Sequence, residues 1–268
     1  EEGAAKQSAI IGGYENVMHG SNRSVMLGGY QNKVIGSKAY DSALHGDAVY
    51  APYALMGPGY RNVISGSSLN TVSTMSDEIA SYCSILNGTA NHISGSLYST
   101  ILGGWDNKIG FKPNSLLAGV SWYSLIGTGL GNAITGSGGY TTADAAEHNI
   151  ILAGERNSIN VTSVGNNSHN LILFGERNTI TGRAVENAII GSRNIITANT
   201  GSFIIGKYNS INSAMRPAMT FGWNIDHNDS TNATKGNIIL GNGDLNESED
   251  TLITISGSFK VEGTTYGI

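Results

Sequence analysis

Apolar and polar positions alternate in short bursts along this chain. Two adjacent aliphatic residues are followed by Gly, a few polar or aromatic residues, and Asn. A second apolar stretch then often ends in Gly-Ser. Ser8-Ala-Ile-Ile-Gly-Gly-Tyr-Glu-Asn16-Val returns as Ser24-Val-Met-Leu-Gly-Gly-Tyr-Gln-Asn32-Lys. The aliphatic pair recurs at Leu55-Met56, Ile101-Leu102, Leu125-Ile126, Ile189-Ile190, Ile204-Ile205 and Ile239-Leu240, with looser copies at Ile85, Leu116, Ile151 and Ile172. The recurring Asn are Asn16, Asn32, Asn62, Asn91, Asn107, Asn132, Asn157, Asn178, Asn194, Asn209 and Asn224, so the unit is 15 or 16 residues where it is shortest. Longer spacings are insertions or, at 30, two degenerate units.

Short aliphatic runs bounded by Gly, Asn and Ser predict strands joined by tight turns. No segment holds a 3.6-residue period long enough for a helix, although Thr142 to His148 allows a short helical turn. Units of this kind stack, each burying its apolar residues against the next. A three-sided coil needs roughly 18 residues per turn, so two strands per rung fit better. The expected fold is all-β, a repetitive β-solenoid or β-roll over residues 1–245, followed by a C-terminal β-segment over 246–268 in which Ile253, Ile255, Phe259 and Val261 alternate. The pattern predicts that Ile11, Leu27, Leu102, Ile190 and Ile205 line a shared aliphatic interior. A core this thin is not self-sufficient, so a homotrimeric fibre is expected.

Composition agrees with many turns: there are 37 Gly and 28 Asn, and only 13% of residues are charged, against about 25% in average soluble domains. The net charge of −5, with Lys and Arg scattered, argues against a nucleic-acid partner. No apolar run approaches the roughly 18 residues of a membrane span, so no membrane insertion is expected. Glu1 to Ala5 lacks the basic and apolar regions of a signal peptide. Cys83 is the single cysteine, which leaves no intrachain disulfide and no Cys-based metal site. The six His are not at metal-ligand spacing, and Gly127 to Gly136 only superficially resembles a dinucleotide loop, because the repeat accounts for its glycines. No metal, cofactor or catalytic residue is expected.

The repeat resembles the head repeats of trimeric autotransporter adhesins. It is still more similar to the S-x-I-I-G-G-x-x-N-x-I-x-G-S arrays of phage tail fibres and tailspikes, over about residues 8 to 245. The adhesin unit is usually shorter, with more Ala at inward positions, and the Ile and Leu here depart from it. The resemblance implies a homotrimeric, virion-borne structural and receptor-binding protein that attaches to a host cell-surface glycan or outer-membrane protein. The alternatives are a tailspike that depolymerises polysaccharide and a bacterial adhesin head on a cell surface.

Each repeat Asn is expected at a left-handed turn position, bonded to its counterpart in the next rung. Aromatic residues beside one turn, Tyr14, Tyr30, Tyr60, Trp105, Tyr208 and Trp223, either stack on sugars or cover the neighbouring rung. Trp105 and Trp223 are the repeat aromatics chosen as binding candidates. Glu155-Arg156 and Glu176-Arg177 occupy one register, which points to an ion-pair ladder rather than a carboxylate pair for glycoside hydrolysis. Insertions near Ser68 to Tyr82, Phe111 to Tyr123, Ser137 to His148, Asn160 to Asn170 and Ile225 to Lys235 fall on the flank of a solenoid, where binding faces form. They supply the loop candidates Tyr82, Trp122, Tyr123, Tyr140, Asp144 and Glu147.

Overall fold

The computed structural model describes residues 7–19, 23–35, 37–38, 49–50, 54–65, 82–94, 96–111, 121–136, 146–161, 168–182, 184–197, 201–212, 218–227 and 237–242. Tyr140, Asp144 and the segment 246–268 lie outside the described residues. Each repeat contributes one short strand to each of two long parallel sheets, so the chain is a repetitive β-solenoid. Among the described residues the first sheet has 12 strands, beginning with Ala9–Ile10, Val25–Met26 and Leu55–Met56. The second has 11, beginning with Val17–His19, Lys33–Ile35 and Val63–Ser65. Met26 pairs directly with Met56, so the interval of 30 is one rung with a long insertion and not two degenerate rungs. The insertion includes an antiparallel pair, Ser37–Lys38 with Val49–Tyr50. No helix occurs among the described residues. Ala146–Glu147, in the stretch read as permitting a helical turn, forms a strand because Ser121–Trp122 offers it a parallel ladder.

Most strands give the interior one residue: Ile101 faces Ile109's row, Ile126 that of Ile134, and Ile151 that of Ile159, all buried, and Val161 adds a second from the strand of Ile159. The expectation for Ile11, Leu27, Leu102, Ile190 and Ile205 is overturned. Ile11 is 60% exposed, Leu27 47%, Leu102 43% and Ile205 36%, and Ile190 is only half-buried. Their predecessors Met26, Ile101, Ile189 and Ile204 are fully buried instead. Side chains alternate along a strand, so two adjacent aliphatic residues cannot both point inward. The row exists, displaced by one residue from the expected one.

The turns also differ from expectation. The left-handed residue is the one before each Asn: Glu15, Gln31, Arg61, Asp106, Arg156, Arg177 and Arg193 have φ between 53 and 57°. Such a conformation costs about 1 kcal/mol for a side-chain-bearing residue. The cost is offset by a bond to the previous rung, as from Gln31 N–H to the Tyr14 carbonyl (3.0 Å). The Asn itself points inward, buried, because its amide satisfies backbone groups that the turn leaves unpaired. Asn107 Oδ1 accepts from the Asn132 N–H (3.0 Å), and its Nδ2 donates to Asn91 Oδ1 (3.1 Å), the Gly103 carbonyl (3.0 Å) and the Gly129 carbonyl (3.0 Å). The bond to the counterpart in the next rung is as expected. Asn224 is a left-handed residue (φ 56°), and Ile225 takes the ladder position after Asn209. A second buried ladder, including Ser99, Ser124, Asn149, Asn170, Asn187 and Ser202, closes the opposite corner.

The glycine three residues before each Asn is demanded by rung stacking. A Cβ on Gly104 (φ 92°) would stand 2.2 Å from the Gly129 carbonyl oxygen.

Candidate functional site

The two outer faces of the solenoid differ in chemistry. Outward residues of the second sheet are mostly polar: Lys33, His92, Lys108, Ser158, Thr179 and Ser210 in one column, Ser94, Thr135, Asn160 and Thr181 in the other. Outward residues of the first sheet are mostly aliphatic. Val25, Leu55, Leu125, Ile150, Leu171 and Phe203 form one column, and Leu27, Leu86, Leu102, Leu152, Ile190 and Ile205 the next. A contiguous apolar face of this length is what interaction surfaces look like.

Among the described residues the strands that bound the insertions place them at one edge, between a strand of the second sheet and the first strand of the following rung. There Ser96–Leu97, Ser121–Trp122 and Ala146–Glu147 add a small third parallel sheet, which sets Trp122 in register with Leu97 and Glu147. On the same edge Tyr82, Tyr98, Tyr123, His148 and His169 stack nearly parallel, with successive ring centroids 4.8 to 4.9 Å apart. Four of the six loop candidates, Tyr82, Trp122, Tyr123 and Glu147, therefore gather on this edge. The sequence reading missed Tyr98, His148 and His169, although each immediately precedes a Ser or Asn of the buried corner ladder.

The repeat aromatics lie on the other corner. Tyr14, Tyr30 and Tyr60 stack face to face at 5.5 and 5.3 Å, so the Tyr30 ring is covered on both sides and the Tyr60 ring on the side toward Tyr30. Trp105 occupies the same row, 61% exposed, between Thr89 and Leu130. Trp223 is 54% exposed, stacked on Tyr208 at 6.4 Å with Lys207 Nζ 5.6 Å from its ring. The Arg193 guanidinium donates to the Tyr208 hydroxyl.

Glu155 and Glu176 are neighbours on adjacent rungs, each engaged by cations: Arg156 to Glu155 at 3.1 Å, Arg177 to Glu176 at 2.9 Å, and Arg193 to Glu176 at 3.8 Å. This is the expected ion-pair ladder. Two groups have shifted acidity. Burial pushes the Cys83 thiol up to about 12 against a smaller opposing pull from a backbone hydrogen bond at Ser99, and Sγ donates to the Ser96 carbonyl at 3.2 Å. Burial lowers the pKa of His92, and the Lys108 ammonium on the next rung lowers it further. The His92 ring lies 3.2 Å from Ser65 Oγ. Among the described residues no three His, Cys, Asp or Glu are grouped so as to hold a metal ion. No protein-family model matches this chain, and no curated protein is similar to it.

Proposed function

We propose that this chain is a structural and receptor-binding segment of a phage tail fibre or tailspike. Three copies assemble into a stiff rod that attaches a virion to a host cell-surface glycan or outer-membrane protein, without chemistry on the receptor. The observation that carries the reading is the contrast between the two sheets, mostly aliphatic on the outside of one and mostly polar on the outside of the other. Most rungs hold only two large interior aliphatic residues, too little apolar burial to leave a second apolar face in water. Three first-sheet faces turned to a common axis extend that burial and keep the polar sheets in solvent. Threefold display of the loop edge and the aromatic corner then multiplies weak contacts into avidity.

Sedimentation equilibrium tests the assembly: three chains of 28.0 kDa give about 84 kDa. A 28 kDa species at micromolar concentration refutes it. Incubation with extracted capsule and lipopolysaccharide tests the mode of action. Retention without oligosaccharide release is expected. Release that disappears in Glu155→Gln or Glu176→Gln would establish a depolymerase instead.

A further inference from the structure

The aromatic corner contains a gap. Tyr14, Tyr30, Tyr60, Thr89, Trp105 and Leu130 occupy one position on successive rungs. The first three rings stack at 5.5 and 5.3 Å within 7° of parallel. At Thr89 the run of rings stops, and the residues on either side of it, Gly88 and Ala90, carry at most a methyl group. The next rung then places Trp105 in the row, 61% exposed, with no described ring stacked upon it.

Two rung steps separate Tyr60 from Trp105, on the order of 10 Å at the usual strand spacing. A planar ring held between two aromatic faces needs roughly 3.5 Å on each side, about 7 Å in all, and would rattle in this gap. A saturated pyranose, puckered and with axial hydrogens on both faces, is thicker and fills it. Polar groups flank the opening. The Arg61 guanidinium lies over the Tyr60 ring, 4.7 Å from its centroid, and its Nε donates to Gln31 Oε1 on the preceding rung. Asp106, next to Trp105, is ion-paired with Lys108 at 3.0 Å.

We infer that the gap over Thr89, between Tyr60 and Trp105, is a carbohydrate subsite that holds one pyranose ring of a surface glycan, with the indole as its platform and Arg61 and Asp106 as hydrogen-bonding partners for its hydroxyls. The inference rests on the glycan-attachment reading and gives it a location on the corner opposite the inserted loops.

The test uses the assembled protein with cellotriose, maltotriose and chitotriose as probes in saturation-transfer NMR. At least one is expected to receive saturation, strongest at the axial C–H protons of a single ring. Trp105→Ala should weaken that binding at least tenfold. Thr89→Tyr restores the missing ring, so it should abolish binding while leaving the circular dichroism and melting temperature intact or raised. No transfer to any probe, or transfer unchanged in Thr89→Tyr, overturns the inference. So does Trp105 emission, taken as the difference from Trp105→Phe, that resists iodide quenching, since a neighbouring copy would then fill the gap. The broader reading is scored separately. Retention of Thr89→Tyr on extracted polysaccharide equal to that of the unaltered protein moves attachment elsewhere and sinks only the subsite. Probe binding without any retention on polysaccharide sinks glycan attachment and leaves the subsite standing.

Discussion

Replacing Asn107 by Ala removes the central link of the buried amide ladder. The Asn132 N–H loses its acceptor, Asn107 Oδ1 at 3.0 Å, in a place with no access to water. The Gly103 carbonyl loses the donor at 3.0 Å, whereas the Gly129 carbonyl keeps the Trp105 N–H at 2.8 Å. A stranded buried donor costs about 1–3 kcal/mol and a weakened carbonyl adds a further fraction, so a loss of about 3 kcal/mol is expected. Asn16 makes the same bonds at the first rung, to the Asn32 N–H (3.0 Å) and the Gly29 carbonyl (3.0 Å), but it is only half-buried. Water can replace it there, and Asn16→Ala should cost about 1 kcal/mol or less.

Urea unfolding at fixed protomer concentration measures both variants, because assembly couples stability to concentration. Hydrogen exchange on the neighbouring rungs detects local opening, which repeat arrays permit without global unfolding. Asn107→Asp sharpens the test. It keeps the acceptor but turns a carboxylate toward the Gly103 and Gly129 carbonyls, so it should exceed the Ala variant at neutral pH and recover on acidification. Losses in Asn107→Ala and Asn16→Ala that agree within about 0.5 kcal/mol would refute the claim that burial gives the ladder its value.

Ile134→Ala should cost about 2–5 kcal/mol as an interior cavity without changing the oligomeric mass. Leu102→Lys should do the opposite, dissociating the assembly in sedimentation while the protomer's circular dichroism persists. Cys83 should resist Ellman's reagent at pH 8 until the protein unfolds, since its thiol titrates near 12 and is fully buried; rapid labelling of the native protein would contradict its placement. His92 titrates below its ordinary value when folded, so the unfolded chain takes up its proton first. Its contribution is present above about pH 6.5, is lost as pH falls below that value, and levels off below the folded pKa. His92→Gln should flatten that limb in chemical denaturation between pH 5 and 7.

The second sheet was legible where its strands alternate: Lys33-Val34, Lys108-Ile109 and Thr179-Ile180-Thr181 show which side chain turns inward, whereas Val63-Ile64 and Ile195-Ile196 do not. In the first sheet the pairs Met26-Leu27, Ile101-Leu102 and Ile204-Ile205 hide parity, since the outward face is apolar as well. Parity can be counted back from the Asn only once the residue before it, and not the Asn, is known to be the left-handed one. Turn preference allows Asn a left-handed conformation; the Gly103 carbonyl, which the Asn107 amide satisfies, and the Asn132 N–H, which its Oδ1 accepts, decide instead that the amide goes inside. The small third sheet and the Tyr82-to-His169 stack were illegible for another reason. Insertions of unequal length separate their members, so no fixed period connects them.

That inequality of length has a physical cause, and it separates two ways of changing recognition. From the corner Ser or Asn to the ladder Asn the length varies by one residue at most: eight positions in Ser24–Asn32, Ser99–Asn107 and Asn170–Asn178, seven in Asn187–Asn194 and Ser202–Asn209. This half holds the glycine whose added Cβ would strike the next rung, 2.1 Å from the Gly175 oxygen at Gly154, so its length is held to within one residue. The returning half leaves the interior after residues such as Ile109 and Ile134, and closure entropy grows only slowly with loop length. The loop edge therefore changes by insertion, at little cost to the rungs. The opposite corner changes chiefly by substitution, through the left-handed row and the aromatic row beside it, where Thr89 in place of a ring is a single such change.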